Sequence, residues 1–212
     1  MYSFPYYKVT DKEEVIAFMK AHPFITLLGT DKSGRIEATQ VPVLVDVVGD
    51  KIYISGHIMR KTTHENALIE NPDALIIFTG SHAYVSATYY TTNPHQGSTW
   101  NYIAIHARGK IRWMDEQGLI SFMRKLTLHF EKNNSASSTV YDNLPEEYVS
   151  KLIKGIAGFE MEVAELDNVF KLSQNRDEVS YDNIVKELKQ QAGDAKVIGE
   201  LMEQRKSKYF HK

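Results

Sequence analysis

Apolar and polar positions along this chain alternate with the period of a strand in a series of short runs, interrupted by single stretches with the period of a helix. Phe24 to Thr30 (FITLLGT) reads as a strand, followed by the turn Asp31-Lys32-Ser33-Gly34 with glycine where positive φ is tolerated. Arg35 to Val48 returns as a second strand. Pro42 in its middle has no N–H for a ladder and marks an edge or a bulge. After Gly49-Asp50, Lys51 to Ser55 forms a third strand. Ala74 to Thr79, Ala83 to Thr88, Ile103 to Met114, Phe159 to Val163 and Val169 to Leu172 complete the strand-like runs, with Gly109 as a bend in the longest.

The helical stretches are fewer. Thr10-Asp11-Lys12-Glu13 fits a capping box ahead of a helix over 11–21, which places Val15, Phe18 and Met19 on one face. Thr62 or Thr63 caps a two-turn helix that ends at Asn71-Pro72. Residues 115–132 form a helix with Leu119, Phe122, Met123, Leu126 and Phe130 aligned. Asn133 to Val140 is polar and aperiodic and reads as a mobile loop, and Pro145 opens another helix at its first turn. Two helices between Ser180 and Lys208 are separated at Gly193-Asp194. Six or seven antiparallel strands with helices inserted singly predict a mainly β, α+β fold whose sheet closes into a barrel, since closure removes unpaired edges. Strand–helix alternation of the doubly wound kind is absent.

Composition narrows the picture. The chain has 212 residues, 42% hydrophobic and 25% charged, which suits a soluble globular protein with a full core. Lys and Arg (25) are outnumbered by Asp and Glu (27), so no basic field covers the molecule, although DNA binding through a local patch stays open. The end EQRKSKYFHK is the basic candidate, but nothing in the chain matches a helix-turn-helix. Zero cysteines remove disulfides, thiolate metal sites and cysteine nucleophiles together, which makes a reducing cytoplasm the expected compartment. The start MYSFPYYKVTDKEE lacks a signal peptide's basic and apolar regions, and no apolar run approaches the roughly 18 residues of a membrane helix.

Three stretches carry candidate chemistry. In SGHIMRKTTH, His57, Arg60, Lys61, Thr62 and Thr63 lie between a strand and a helix N-terminus, where unpaired N–H groups and the helix dipole attract anions. No P-loop or Rossmann glycine pattern is present, and a solvated loop with an ordinary threonine cap is the alternative. In STWNY, following the loop TTNPHQG, Trp100, Asn101 and Tyr102 enter a strand as an aromatic–amide–aromatic triplet. They suit a flat ligand with a hydrogen-bonding rim, or else simple core packing. In KLSQNR, Lys171, Gln174 and Asn175 belong to a dense polar set at a strand end, which is either a surface turn or a fork around a ligand edge. His57, His64, His82, His95 and His106 show no metal-ligand spacing, so no metal is expected, and no G-x-S-x-G elbow supports a serine triad.

Taken in order, ATQVPVLVD, SGHIMR, GSHAYVSATYY, TWNYIAIHARG, KGIAGFEMEV and KLSQNR resemble the PaiB-like group of FMN-binding proteins, known as negative transcriptional regulators. That resemblance runs from MYSFPYYKVTD to KLSQNR. It implies the pyridoxamine 5′-phosphate oxidase-like split β-barrel over 1–176, a helical extension over 177–212, and a cytoplasmic homodimer that holds FMN at the subunit interface. By position, Arg60, Lys61, Thr62 and Thr63 would hold the phosphate, with His57 beside them. Thr39, Gln40 and Val41 would lie along the ring system with their backbone amides. Trp100, Asn101 and Tyr102 would border the ligand, and Lys171, Gln174 and Asn175 would reach toward the partner's site. The chain departs from the family pattern in three places. Thr62-Thr63 stands for the usual Asn-Pro, Gln40 for His, and Ala87-Thr88-Tyr89 for Pro-Ser-Trp. A flavin-dependent oxidoreductase, such as a flavin reductase, is the alternative function, with a haem-binding module behind it. No residue is marked out as a general base.

Overall fold

The computed structural model describes residues 1–2, 4–91 and 95–210. Ser3, the Thr92-Asn93-Pro94 part of the TTNPHQG loop, and His211-Lys212 of the basic end lie outside the described residues. The strands are β1 (Phe24–Thr30), β2 (Ile36–Val48), β3 (Lys51–Met59), β4 (Asp73–Val85), β5 (Thr99–Trp113) and β6 (Ile156–Lys171). The helices are α1 (Lys12–Ala21), α2 (Thr63–Glu70), α3 (Glu116–Phe130), α4 (Glu146–Gly155), α5 (Glu178–Lys189) and α6 (Asp194–Phe210). The six strands are antiparallel where their register is defined, and they close into a ring in the order β1-β2-β3-β6-β5-β4.

The chain divides into two compact units. One comprises Ile16–Phe78 and His106–Leu166 and contains β1, β2 and β3 with α2, α3 and α4. On β1 the alternation places Ile25 and Leu27 inward. Val43, Leu44 and Val45 are buried in succession because α3 covers the outer face of β2, packing Leu119, Phe122, Met123 and Leu126 around Leu44. Each such side chain contributes about 1.5–3 kcal/mol on burial. Gly109 of β5 is required by close approach, since a Cβ there would stand 2.3 Å from the Glu162 carbonyl oxygen.

The other unit comprises Met1–Val15, Thr79–Ile105 and Asp167–Lys212. Its core includes Val85, Ile103, Ile105, Phe170 and Leu172, with Tyr181, Ile184 and Leu188 from α5 and Ile198 and Met202 from α6. Asp177 caps α5 by accepting from the Ser180 N–H at 2.9 Å, and Gly193 turns the chain into α6 with φ of 62°. Arg205, buried on α6, pairs with Glu14 and donates from Nε to the Tyr209 hydroxyl at 2.8 Å.

Several boundaries differ from the sequence reading. The third strand continues past Ser55 to Met59, so Gly56, His57 and Ile58 belong to the ladder. The Ala74–Thr79 and Ala83–Thr88 runs are one strand ending at Val85, and the Phe159–Val163 and Val169–Leu172 runs join into β6. Polar intervals inside these strands lie on exposed faces and imitate turns. Asp11, not Thr10, opens α1, its Oδ1 accepting from the N–H groups of Glu13 (3.0 Å) and Glu14 (3.3 Å). Pro42 stands, as the edge reading expects, at the boundary of a stretch of β2 that the β3 register does not reach. It ends the β1 register opposite Phe24, and pairing with β3 begins at Val43, so its missing N–H falls where β2 changes partner. Phe130 is exposed at the end of α3. Asn133 to Val140 is a chain of turns tied by the Ser137 hydroxyl to Glu131 and by the Asn143 amide to two carbonyls, with Val140 buried. Pro145 is the residue before α4 rather than its first turn.

Candidate functional site

The β3–α2 connection is built around one buried acid. Thr62 caps α2, its hydroxyl accepting from the Glu65 N–H at 3.1 Å and donating to the Met59 carbonyl at 3.1 Å. Glu65 in turn accepts from the Lys61 N–H, and Lys61 holds a left-handed backbone with φ of 62°. Arg60 Nη1 lies 3.5 Å from the same carboxylate. The side chain of Glu65 is 9% exposed and that of Arg60 44%, so the acid sits behind the cation. The Thr62 hydroxyl is thereby committed to the cap. Arg60, Lys61 and Thr63 remain exposed toward solvent at the positive end of the helix. Thr63 donates to Glu37 of β2 at 3.0 Å, and Glu37 is balanced by Arg35 at 3.1 Å.

Residues 36–42 of β2 pair with β1, while the register with β3 runs only from Val43↔Gly56 to Val48↔Lys51. Thr39, Gln40 and Val41 therefore lie on a stretch of β2 that the β3 register does not reach. Gln40 is exposed, and Val41 is buried. Thr39 shares a 2.7 Å hydrogen bond with Nδ1 of His64, whose ring is buried on α2. Nε2 of His64 is buried without a partner, as is Nδ1 of His57 on β3. Burial pushes both imidazoles below the ordinary histidine range, with Glu37 opposing the shift at His64. This stretch pairs with β1 on one side and lies outside the β3 register on the other, beside a helix start that carries Arg60 and Lys61, a cationic setting that suits an anionic group such as a phosphate.

In the other unit, strand parity separates the opening triplet. Asn101 shares its face with the buried Ile103, Ile105 and Ala107 and is itself 0% exposed. Its Oδ1 accepts from the Ser173 hydroxyl at 3.0 Å, and its Nδ2 donates to the Met202 sulfur at 3.3 Å. Asn101 thus ties β5 to the loop after β6 and to α6, and does not border an exposed surface. Trp100 is 51% exposed, with its ring 5.8 Å from those of both Tyr84 and His82. Tyr102 is half-buried, and burial raises its phenol's pKa.

The KLSQN set is also turned inward, except for Asn175, which is exposed. Gln174 accepts from the Leu172 N–H at 2.7 Å and donates to the carbonyls of Phe170 (2.6 Å) and Tyr6 (2.9 Å). Lys171 donates to the Thr99 hydroxyl and to the Trp100 carbonyl at 2.9 Å. Burial, seconded by Arg176, lowers its pKa. These contacts fix the backbone that carries Trp100.

Sequence reasoning missed Glu65, although Thr62-x-x-Glu65 has the capping-box spacing. It also passed over the N-terminal aromatics: the rings of Tyr2, Phe4, Tyr6 and Tyr7 pack on one another, and three of them stay about half exposed. A groove of about 820 Å³ bordered by Leu28, Ile36, Leu75, Arg108 and Arg112 contains none of the expected site residues. Among the described residues, no three metal-ligating side chains converge, and no helix is long and apolar enough to cross a membrane.

Residues 1–165 match the family described as "Putative FMN-binding domain", and the chain belongs to it, with FMN as the cofactor. The "Protease synthase and sporulation protein PAI 2" of Bacillus subtilis (strain 168) is 32% identical over 209 residues, covering 98% of this chain and 99% of the relative. Among solved structures, the FAD- and haem-binding protein from Mycobacterium smegmatis superposes with a TM-score of 0.58 at 15% identity, over 77% of this chain and 72% of that one. The flavocytochrome Anf3 from Azotobacter vinelandii gives 0.56 at 18% identity, over 80% and 72%. At these identities the likeness is one of fold.

Proposed function

We propose that this chain is a PaiB-like transcriptional regulator that holds FMN between two copies of itself. The observation that carries the reading is the β3–α2 loop, where Arg60, Lys61 and Thr63 face solvent at a helix start. Beside it runs the stretch of β2 that lacks a partner in the β3 register. Arg60 grips the phosphate and Lys61 adds charge, while the Thr63 hydroxyl, like that of Thr62, is already engaged, donating to Glu37. Backbone groups of Thr39 to Val41 meet the polar edge of the ring. Trp100 supplies an apolar flank from the partner copy, and Asn101, Lys171 and Gln174 act by holding its strand in place. The half-exposed aromatics Tyr2, Phe4, Tyr6, Tyr84 and Trp100 are the surface that a second copy covers. Bound FMN supplies one- and two-electron redox chemistry, while the chain sets orientation and access. The Bacillus subtilis relative is named for processes, protease synthesis and sporulation, rather than for a reaction, which favours a regulatory output.

Light scattering on the FMN-saturated protein is expected to give a dimer. A monomer that binds FMN with full affinity would remove the interface reading. Selection of genomic DNA fragments at low and raised salt tests the regulator: retained fragments whose affinity falls steeply with salt support direct binding. Anaerobic bleaching of the bound flavin by NADH or NADPH, with no DNA retained, replaces regulation by a reductase.

A further inference from the structure

Glu65 places a negative charge immediately behind the cations that face the phosphate. We propose that Glu65 is a specificity-determining residue of this cradle: its carboxylate shares Arg60 with the incoming phosphate and so weakens the preference for FMN over flavin without a phosphate. The proposal rests on the reading of Arg60 to Thr63 as the phosphate site.

The geometry supports it from both sides. Glu65 is anchored through its backbone, because its N–H donates to the capping hydroxyl of Thr62. It is anchored through its side chain as well, because the carboxylate accepts the Lys61 N–H. Moving the carboxylate away leaves the left-handed Lys61 backbone without its hydrogen bond, so the charge stays when a ligand arrives. Arg60 Nη1 is engaged from the buried side at 3.5 Å, and a phosphate from solvent meets the guanidinium's other face. Glu37, the neighbouring acid, already has Arg35 at 3.1 Å. Glu65 has no cation nearer than Arg60 among the ion pairs of the described residues. Two anions on one guanidinium repel, and the later arrival binds less tightly for it.

The substitution Glu65→Gln isolates the charge, since the amide keeps an oxygen for the Lys61 N–H. Wild type and E65Q are titrated with FMN and with riboflavin by flavin fluorescence quenching, and inorganic phosphate is added as a competitor for FMN. Removing the charge is expected to tighten FMN by about tenfold and to make phosphate a better competitor, while riboflavin affinity is unchanged. Glu65→Ala also loses the Lys61 acceptor and melts at a lower temperature, yet it raises the FMN-to-riboflavin ratio in the same direction. An unchanged or reduced ratio in either folded variant overturns the proposal. Arg60→Ala separates this failure from that of the site itself. A ratio that survives Arg60→Ala shows that the phosphate lies elsewhere, and both readings fall. A ratio that collapses there but does not move in E65Q refutes the role of Glu65 alone.

Discussion

Replacing Asn101 by alanine distinguishes a residue that touches the ligand from one that builds the strand presenting it. Asn101 is 0% exposed and accepts from the Ser173 hydroxyl at 3.0 Å. Losing that neutral hydrogen bond costs about 0.5–1.5 kcal/mol. Ser173, itself 3% exposed, is then left with an unpaired hydroxyl, at about 1–3 kcal/mol. The Met202 sulfur is a weak acceptor and adds little. The sum is roughly 1.5–4.5 kcal/mol, a large fraction of the 5–15 kcal/mol typical of a folded protein. For a chain of this length that lowers the melting temperature by roughly 3–18 °C. Adding Ser173→Ala removes the orphaned hydroxyl, so the double variant is expected to melt above Asn101→Ala. Thermal melts by circular dichroism, paired with an FMN titration below the transition, read both effects. Melting within about 2 °C of wild type together with weakened FMN affinity would show that Asn101 contacts the flavin, and the inward assignment would be wrong.

Three further outcomes follow from the same contacts. Gly109→Ala forces a Cβ to 2.3 Å from a backbone carbonyl, and is expected to cost at least the roughly 1–3 kcal/mol of ordinary overpacking in urea denaturation. An unchanged midpoint would mean that β5 and β6 are not this close. Trp100→Ala should barely move the melting temperature, because the side chain is 51% exposed, yet weaken FMN binding and dimerisation in the same titration and light-scattering experiments. His57 and His64 have pKa values held below 6.5 by burial. The unfolded chain therefore takes up protons first as pH falls. Their contribution to stability is complete above about pH 6.5 and is lost as pH drops toward their folded values. Melting at pH 5.5 should fall below that at pH 7.5, and His57→Phe should narrow the gap; an equal gap in that variant contradicts the burial argument.

The ring of antiparallel strands was legible because buried apolar residues recur at every second position, Ile25 and Leu27 on β1 and Ile103, Ile105 and Ala107 on β5, in short runs bounded by turn residues. Boundaries were harder where a strand carries polar residues on an exposed face. Ser81 and His82 interrupt the apolar pattern of β4 without interrupting its backbone, and Glu165 and Asp167 do the same in β6. Starting β5 at Ile103 instead of Thr99 hid the parity that sends Asn101 inward and Trp100 outward. The cationic loop and its threonine cap were readable from SGHIMRKTTH. The buried side of that loop was not, since a glutamate in a helix's first turn usually faces solvent. Its burial behind Arg60 comes from the left-handed turn at Lys61, which no residue type at that position announces.

The account stands on FMN being held through its phosphate by the β3–α2 loop. Equilibrium titration of the purified protein with FMN and with riboflavin, followed by flavin fluorescence, tests this most directly. Saturable FMN binding about tenfold or more tighter than riboflavin is the result expected from a charge-assisted phosphate contact of about 1.5–3 kcal/mol. Equal affinities for the two flavins, or no quenching with either, would contradict it.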